Sequence, residues 1–286
     1  MTAHQHQHPD SSYRGRIAPS PTGLLHLGHA LTFWTARQRA LEANGALVLR
    51  IEDLDRDRCQ SEFIQVVFED LRWFGLDWNE GPDCGGSFAP YSQSQRRAHY
   101  LSAWEKLRAK GLIYPCHCSR RDILHSIAAP HPDDEEPVYP NTCRPAVPVV
   151  PGQLEPGGIT WRFRVPEGLE MSFEDRRLGL QKAVAGVTFG DFIVWRKDDV
   201  PAYQLAVVAD DAAMRITEVV RGEDLLISTF RQLLLYAALE LEAPAFYHCA
   251  LLRDENGMRL AKRHGSLSLR ELRNRGESPH ALINAR

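Results

Sequence analysis

The sequence has no uninterrupted apolar run of about 18 residues, so it offers no candidate for a membrane-spanning helix. Its first 12 residues, MTAHQHQHPDSS, lack the apolar core that a secretory signal requires. A cytoplasmic protein with a disordered N-terminal tail is expected, His4, His6 and His8 belonging to that frayed stretch. Net charge is also small. The 34 Lys and Arg against 37 Asp and Glu leave −3, so any nucleic-acid footprint must be a local patch. Cysteine is sparse, six in all, and in a reducing compartment disulfides are not expected. No internal repeat is present.

What remains is an ordinary globular composition, 43% apolar and 25% charged over 286 residues, enough for one or two domains with a sizeable core. Arg14 to Ala18 has the pattern of a short strand. A Pro- and Gly-rich turn follows, then a helix from about Gly28 to Ala43, then a buried strand from Ala46 to Ile51. Strand, turn, helix, strand is how a parallel nucleotide-binding sheet begins. Apolar residues at helical spacing predict a helix over 61–74 and another over about 93–110. Residues 113–190 change character, with short strands, a Cys-x-Cys pair and a Pro- and acid-rich stretch, and are expected to form an insertion. The alternation returns after Asp191: a strand at FIVW, a helix over Tyr203–Ala209, a strand over Ile216–Val220, a helix over Leu225–Leu241 and a strand over Phe246–Leu252. The expected division is a tail (1–12), a first half of the parallel-sheet domain (13–112), the insertion (113–190), the second half of that domain (191–252) and a C-terminal segment (253–286). Residues 253–276 hold seven Lys and Arg against three Asp and Glu, which supplies the local basic patch.

The segment APSPTGLLHLGHA lies on the first strand-to-helix turn. Free backbone N–H groups and the helix dipole favour an anion there. Pro19 and Pro21 stiffen the turn, while Gly23 and Gly28 let a ligand approach closely. His26 and His29, three apart at the helix start, can both face one phosphate. Donors fixed at that point stabilise the charge that develops when an α-phosphate is attacked.

This segment resembles the HIGH signature of class I aminoacyl-tRNA synthetases, and RIAPSPTGLLHLGHA is similar to the glutamyl and glutaminyl branch. The resemblance implies a Rossmann-like α/β catalytic domain. The second class signature, KMSKS, has its counterpart in Arg259-Leu260-Ala261-Lys262-Arg263. Lys262 matches the lysine that meets the ATP phosphates. Arg259 keeps the charge without the geometry of lysine, and Ala261 removes a hydroxyl. The implied ATP site is His26, Gly28, His29, Arg259 and Lys262, with His26, His29 and Lys262 catalytic and Mg²⁺ accompanying ATP. The implied glutamate site is Arg16, Ile17, Ala18, Pro19 and Ser20 of RIAPS, Glu52 of LRIEDLD, Tyr203 of PAYQLAVVADD and Arg221 of VVRGEDLL. Arg16 and Tyr203 would hold the side-chain carboxylate, Ser20 and Glu52 the amino group, and Arg221 would sit near the other carboxylate. A pocket built for a charge should reject glutamine, which leaves an arginine partly unpaired.

Cys116-x-Cys118 and Cys143 suggest a metal, but zinc takes four ligands and three cysteines fall one short. His117 lies between two of them and would point away; His125 and His131 are possible fourth ligands. The pattern Cys-x-Cys, Tyr-x-x-x-Cys is similar to the glutamyl-Q tRNA(Asp) synthetase family, which implies that Tyr139 completes one structural Zn²⁺ site in the insertion.

Only 23 residues follow Arg263. They are expected to form two short stem-contact helices, with nothing left for an anticodon-binding module. The resemblance is closest to truncated paralogues of glutamyl-tRNA synthetase. It implies activation of L-glutamate by ATP without tRNA, then transfer to the queuosine base at the wobble position of tRNA(Asp). The partner would be the anticodon stem-loop, with Arg270, Arg273 and Arg275 available to phosphates. A monomer is the default. The alternatives are a minimal or split glutamyl-tRNA synthetase charging the 3′ end of tRNA(Glu), a non-catalytic zinc-stabilised tRNA-binding paralogue, and a nucleotidyltransferase of the same superfamily.

Overall fold

The computed structural model describes residues 13–119, 138–150, 152, 155–252 and 267–284. The expected tail lies outside them. Strands β1 (Arg14–Ile17) and β2 (Ala46–Leu49) run parallel, with Arg14 opposite Ala46 and Ile17 opposite Leu49. Both are buried along most of their length, as strands covered on both faces must be. Helix α1 (Leu27–Glu42) makes the crossover. Asn44, at φ 49°, turns the chain out of that helix. Gly45 then passes so close to Tyr13 that a Cβ would lie 2.3 Å from the Tyr13 carbonyl oxygen, which no larger residue tolerates.

β1 is the centre of a larger parallel array. On one side, Leu49 and Ile51 donate backbone N–H groups to Glu80 and Tyr91. On the other, Thr217 donates to the Arg14 carbonyl (2.9 Å), bringing β8 (Glu218–Gly222) alongside, and β9 (Ala245–Cys249) pairs parallel to β8. The carboxyl ends of β1, β2 and β8 therefore open on one edge, where open α/β sheets hold ligands.

Residues 113–190, expected from sequence as one insertion, divide between two sheets. β3 (Ile113–Cys116) and β4 (Thr160–Phe163) form a small antiparallel sheet with β7 (Phe192–Trp195). The hairpin of β5 (Glu170–Asp175) and β6 (Gly179–Val184) instead joins the main sheet, Asp175 lying opposite Phe246 of β9. β7, grouped by sequence with the second catalytic half, thus hydrogen-bonds to a strand of the insertion.

Helices α2 (Ser61–Trp73), α3 (Arg97–Ala109), α4 (Tyr203–Ala213) and α5 (Leu226–Leu239) cover the sheets. Two bounds differ from expectation for one reason. The helix expected from about residue 93 starts at Arg97, after a single 3₁₀ turn, because Gln93 and Arg96 turn inward to Asp210, at 2.8 and 2.6 Å. The helix expected to end at Ala209 runs on to Ala213, because Asp210 and Asp211 are buried in ion pairs instead of reaching solvent. Trp104 of α3 meets Trp161 of β4 edge to face at 4.9 Å, in the core between these layers. Replacing either tryptophan by alanine would cost about 3–5 kcal/mol.

Two short helices close the described chain, α6 (Leu269–Asn274) and α7 (Pro279–Asn284). Ser268 caps α6 in a capping box with Glu271. Arg270 is only half-exposed. Its guanidinium is committed to Asp70 and Glu69 of α2, both at 2.8 Å, while Arg273 and Arg275 are exposed.

Candidate active site

Ile17 is wholly buried at the end of β1, and the chain then turns through Ala18, Pro19 and Ser20. The Pro19 carbonyl accepts the Glu52 N–H at 3.0 Å, which locks the turn to the chain leaving β2. Ser20 is exposed. His26 occupies the N-cap of α1 with extended backbone, φ −104° and ψ 161°, and no side chain caps the helix. The positive end of a 16-residue helix is thereby presented without a built-in acceptor or acidic residue in its first turn. The rings of His26 and His29 lie 6.2 Å apart on this turn, His26 half-buried and His29 exposed.

Both flanks of residues 253–266 converge here. Leu252 lies over Gly28, where a Cβ would stand 3.8 Å from its Cδ1. Ser268 bridges to His26 across an antiparallel contact, and Leu269 N–H donates to the Leu25 carbonyl at 2.7 Å. Lys262 and Arg259 themselves lie outside the described residues.

Beside the turn is a buried cationic pocket. Arg16 is 5% exposed; it donates to the Val220 carbonyl (2.8 Å) and stands 3.6 Å from Asp211. Arg50, fully buried, holds Asp211 at 2.6 Å and Glu52 at 3.0 Å. Burial raises the Glu52 pKa, against the pull of Arg50 and Arg16. Asp210 gathers Arg96, Gln93 and Tyr100 beneath. Tyr203, at the start of α4, is 39% exposed, yet its phenol lies among Arg221, Glu52 and Arg16. Loss of water around it raises its pKa. The four side chains Arg16, Glu52, Tyr203 and Arg221, from β1, the chain after β2, α4 and β8, therefore share one cavity edge.

Arg221 differs from its neighbours. It is 4% exposed, and its three nitrogens reach His248 Nε2 (3.2 Å), Gln232 Oε1 (2.8 Å) and Thr229 Oγ1 (2.7 Å). Burial, helped by the Arg16 charge, lowers its pKa against the opposing pull of Tyr203 and Asp211. His248 is wholly buried, with Nδ1 2.6 Å from Asp175. Burial, then the Arg221 charge, outweigh Asp175 and bring the imidazole from its ordinary 6.5 to about 4. Burial works against ionisation of Asp175 too, but hydrogen bonds from His248, Leu178 and Arg177 prevail and hold its pKa below the usual range.

Residue types and motifs did not single out Arg50, Asp175, Asp210, Asp211, Thr229, Gln232 or His248. Arg50 and the Asp210–Asp211 dyad stand inside quoted segments, LRIEDLD and PAYQLAVVADD, where two acids in an apolar helix were the available signal. His248 and Asp175 had none, since only strand pairing brings them together.

The insertion gathers a second constellation. The sulfurs of Cys116, Cys118 and Cys143 lie within 4.8 Å of one another, and among the described residues no histidine joins them. The Tyr139 hydroxyl is 3.4 Å from Cys116 and from Cys118, and Cys118 is 3.5 Å from Cys143. Two thiolates on one tetrahedral zinc stand roughly 3.8 Å apart, and a thiolate and an oxygen roughly 3.5 Å, so the donor set fits that ion. The Tyr139 oxygen also accepts the Cys143 N–H at 2.9 Å, which suits a ligating oxygen. Burial opposes ionisation of the Cys143 thiol, but hydrogen bonds led by one from the His117 backbone outweigh it and bring its pKa to about 7. His117 is exposed, and His125 and His131 lie outside the described residues. Arg162, unforeseen, donates to Cys116 at 3.3 Å and stacks 3.8 Å over the Tyr139 ring, placing a cation beside the thiols.

A parallel sheet with a paired-histidine turn at its first helix, faced by a buried arginine pocket, defines a class I tRNA synthetase catalytic domain. The chain belongs to the family described as tRNA synthetases class I (E and Q), catalytic domain, whose model matches residues 12–286. It is 48% identical over 265 residues to the glutamyl-Q tRNA(Asp) synthetase of Nitratidesulfovibrio vulgaris, covering 92% of this chain and 82% of that protein. It is 47% identical to the glutamyl-Q tRNA(Asp) synthetase of Symbiobacterium thermophilum, covering 94% and 84%. A glutamate–tRNA ligase of Nitrosococcus oceani is 42% identical, with 96% of this chain and 58% of that protein covered. Among solved structures, the glutamate-tRNA synthetase of Elizabethkingia anophelis superposes with a TM-score of 0.76 at 30% identity, over 89% of this chain and 53% of that one. The chain spans about half the length of that structure. Among the described residues, no helix is long and apolar enough to cross a membrane.

Proposed function

We propose that this chain activates L-glutamate with ATP, in the absence of tRNA, and transfers the glutamyl group to queuosine at the wobble position of tRNA(Asp). The observation that carries the proposal is the meeting of Arg16, Glu52, Tyr203 and Arg221 in one pocket beside the His26–His29 turn. That pocket has cations for two carboxylates and an acid for an ammonium, next to a helix N-terminus suited to phosphate. The high identity to two proteins named glutamyl-Q tRNA(Asp) synthetase supports queuosine as the acceptor.

In the first step a glutamate carboxylate oxygen attacks the α-phosphorus of ATP and pyrophosphate leaves. His26, His29 and the α1 N-terminus stabilise the charge on the phosphate oxygens. Lys262, in the segment whose two flanks rest on this turn, neutralises the leaving pyrophosphate, and Mg²⁺ arrives with ATP as part of that substrate. In the second step a queuosine hydroxyl attacks the activated acyl carbon and AMP leaves. No side chain is assigned as general base, because the adenylate is already activated. Arg16 and Tyr203 take the side-chain carboxylate, Ser20 and Glu52 the amino group, and Arg221 the other carboxylate. Cys116, Cys118, Tyr139 and Cys143 would hold one Zn²⁺ that stiffens the insertion. Arg273 and Arg275, with Lys197 and Arg231 lining a groove of about 860 Å³ by the cysteines, offer cations to an anticodon stem. The protein acts as a monomer.

The test is glutamate-dependent ATP–pyrophosphate exchange without tRNA, followed by labelled-glutamate transfer to tRNA(Asp) with and without queuosine and to tRNA(Glu). Exchange in wild type, its fall by about 10²–10³-fold in Lys262→Ala, and labelling of queuosine-containing tRNA(Asp) alone are expected. Labelling of tRNA(Glu) alone would transfer the assignment to a glutamyl-tRNA synthetase, and no exchange at all to a non-catalytic paralogue.

A further inference from the structure

Among the described residues no carboxylate forms an ion pair with Arg221, whereas Arg16 and Arg50 both share Asp211. Its guanidinium is instead held by three neutral acceptors on two elements, Thr229 and Gln232 of α5 and His248 of β9. The state of His248 is forced by its neighbours. The Asp175 carboxylate only accepts, so Nδ1 carries the hydrogen; the Arg221 Nε–H only donates, so Nε2 must present its lone pair. The Thr229 hydroxyl, 3.1 Å from the same nitrogen, accepts from Arg221. Asp175 is immobilised in turn. Its Oδ1 accepts the Arg177 and Leu178 N–H groups at the turn into β6, and its Oδ2 lies 3.2 Å from the His248 N–H. Arg177 also donates to the His248 carbonyl and pairs with Glu223.

We propose that Asp175 and His248 are positioning residues for the amino acid: together they hold the imidazole in one tautomer and so aim the Arg221 guanidinium, its charge unspent, at an amino-acid carboxylate. The assignment rests on the glutamate pocket proposed above. A carboxylate placed directly against Arg221 would compete with the substrate. Asp175 stands one residue further back, behind the imidazole, so it orients the arginine without occupying its binding face. A reversed imidazole would set N–H against N–H and turn the guanidinium away. Because Asp175 ends β5, the hairpin that arises within the insertion is anchored to the substrate pocket.

The experiment compares His248→Ala, His248→Gln and Asp175→Asn with wild type in pyrophosphate exchange, with KM for glutamate and for ATP measured separately. His248→Ala and Asp175→Asn are expected to raise the glutamate KM about tenfold or more and leave the ATP KM within about twofold. His248→Gln, whose amide oxygen can accept from Arg221, should recover most of the loss. A folded His248→Ala protein with glutamate KM within about twofold of wild type overturns the assignment, as does an equal rise in both KM values. If His248→Ala does not fold, Thr229→Val decides by the same criteria, because it removes one acceptor and keeps the shape. Wild-type protein without glutamate-dependent exchange would overturn the parent proposal and this one together, an outcome distinct from a normal variant of an active enzyme.

Discussion

Arg221 is a buried cation whose ligands on the protein side are all neutral, and buried charge is tolerated only where hydrogen bonds replace water. Its geometry matters as much as its charge. Arg221→Lys keeps one positive charge, but a single ammonium cannot reach three acceptors set around a planar fork. The glutamate KM is expected to rise roughly 10–100-fold with little change in the ATP KM, as read by pyrophosphate exchange. A change below about twofold would show that the fork is not what meets the substrate. At this scale the sequence disclosed the residues that carry motifs, Arg16, His26, His29, Glu52 and Arg221. It did not disclose their partners. Asp211 binds Arg50 and approaches Arg16 from a helix more than 150 positions away, and nothing in local spacing records that encounter.

At the scale of elements, local chemistry explains why the short C-terminal helices sit where they do. Ser268 and Glu271 satisfy each other's backbone donors, and the residue before α6 is thereby held against His26. The cysteine module shows the same economy. β3 delivers Cys116, the chain just beyond delivers Cys118, and Tyr139 and Cys143 return from the far side of residues 120–137 to meet them. Cys143→Ser is expected to reduce bound zinc from about one per chain to near zero on metal analysis, and to lower the unfolding temperature, because metal binding is coupled to order in the segment that supplies the ligands. Full zinc occupancy in that variant removes Cys143 from the ligand set. Periodicity correctly predicted α2, whose apolar face is strong, while the turn residues on either side marked α1, which buries only Ala30, Ala36 and Ala40. Periodicity misplaced the start of α3 and the end of α4, because there polar side chains turn inward to one another and the rule of apolar-in, polar-out no longer holds.

Across the whole molecule, buried ionisable groups tie stability to pH. His248 titrates at about 4 in the fold against an ordinary 6.5, with Asp175, Arg221 and Arg16 as the charged groups around it. The unfolded chain therefore binds the proton more readily between those values. The contribution is complete above about pH 6.5 and is lost as pH falls toward 4, by about 3 kcal/mol in total. Denaturant unfolding at pH 4.5 and pH 7 should show wild type losing more stability on acidification than His248→Gln, which has no such proton to take up. Equal losses in the two proteins would mean that other groups govern the acid limb.

The amino-acid order alone determined the strand–turn–helix opening, the paired histidines on it and the three clustered cysteines, while the pocket residues and Tyr139 were legible only through resemblance to a family. The opening turn and its histidines are local, depending on spacing over a few residues and on a motif with its own backbone requirements. The tertiary structure alone decided that β7 pairs with the insertion, that the β5–β6 hairpin joins the main sheet, and that Asp175, His248, Thr229 and Gln232 enclose Arg221. Those are encounters between residues far apart in sequence. They are selected by which buried donors and acceptors can satisfy one another once the sheet has formed, and a one-dimensional pattern carries no signal for them.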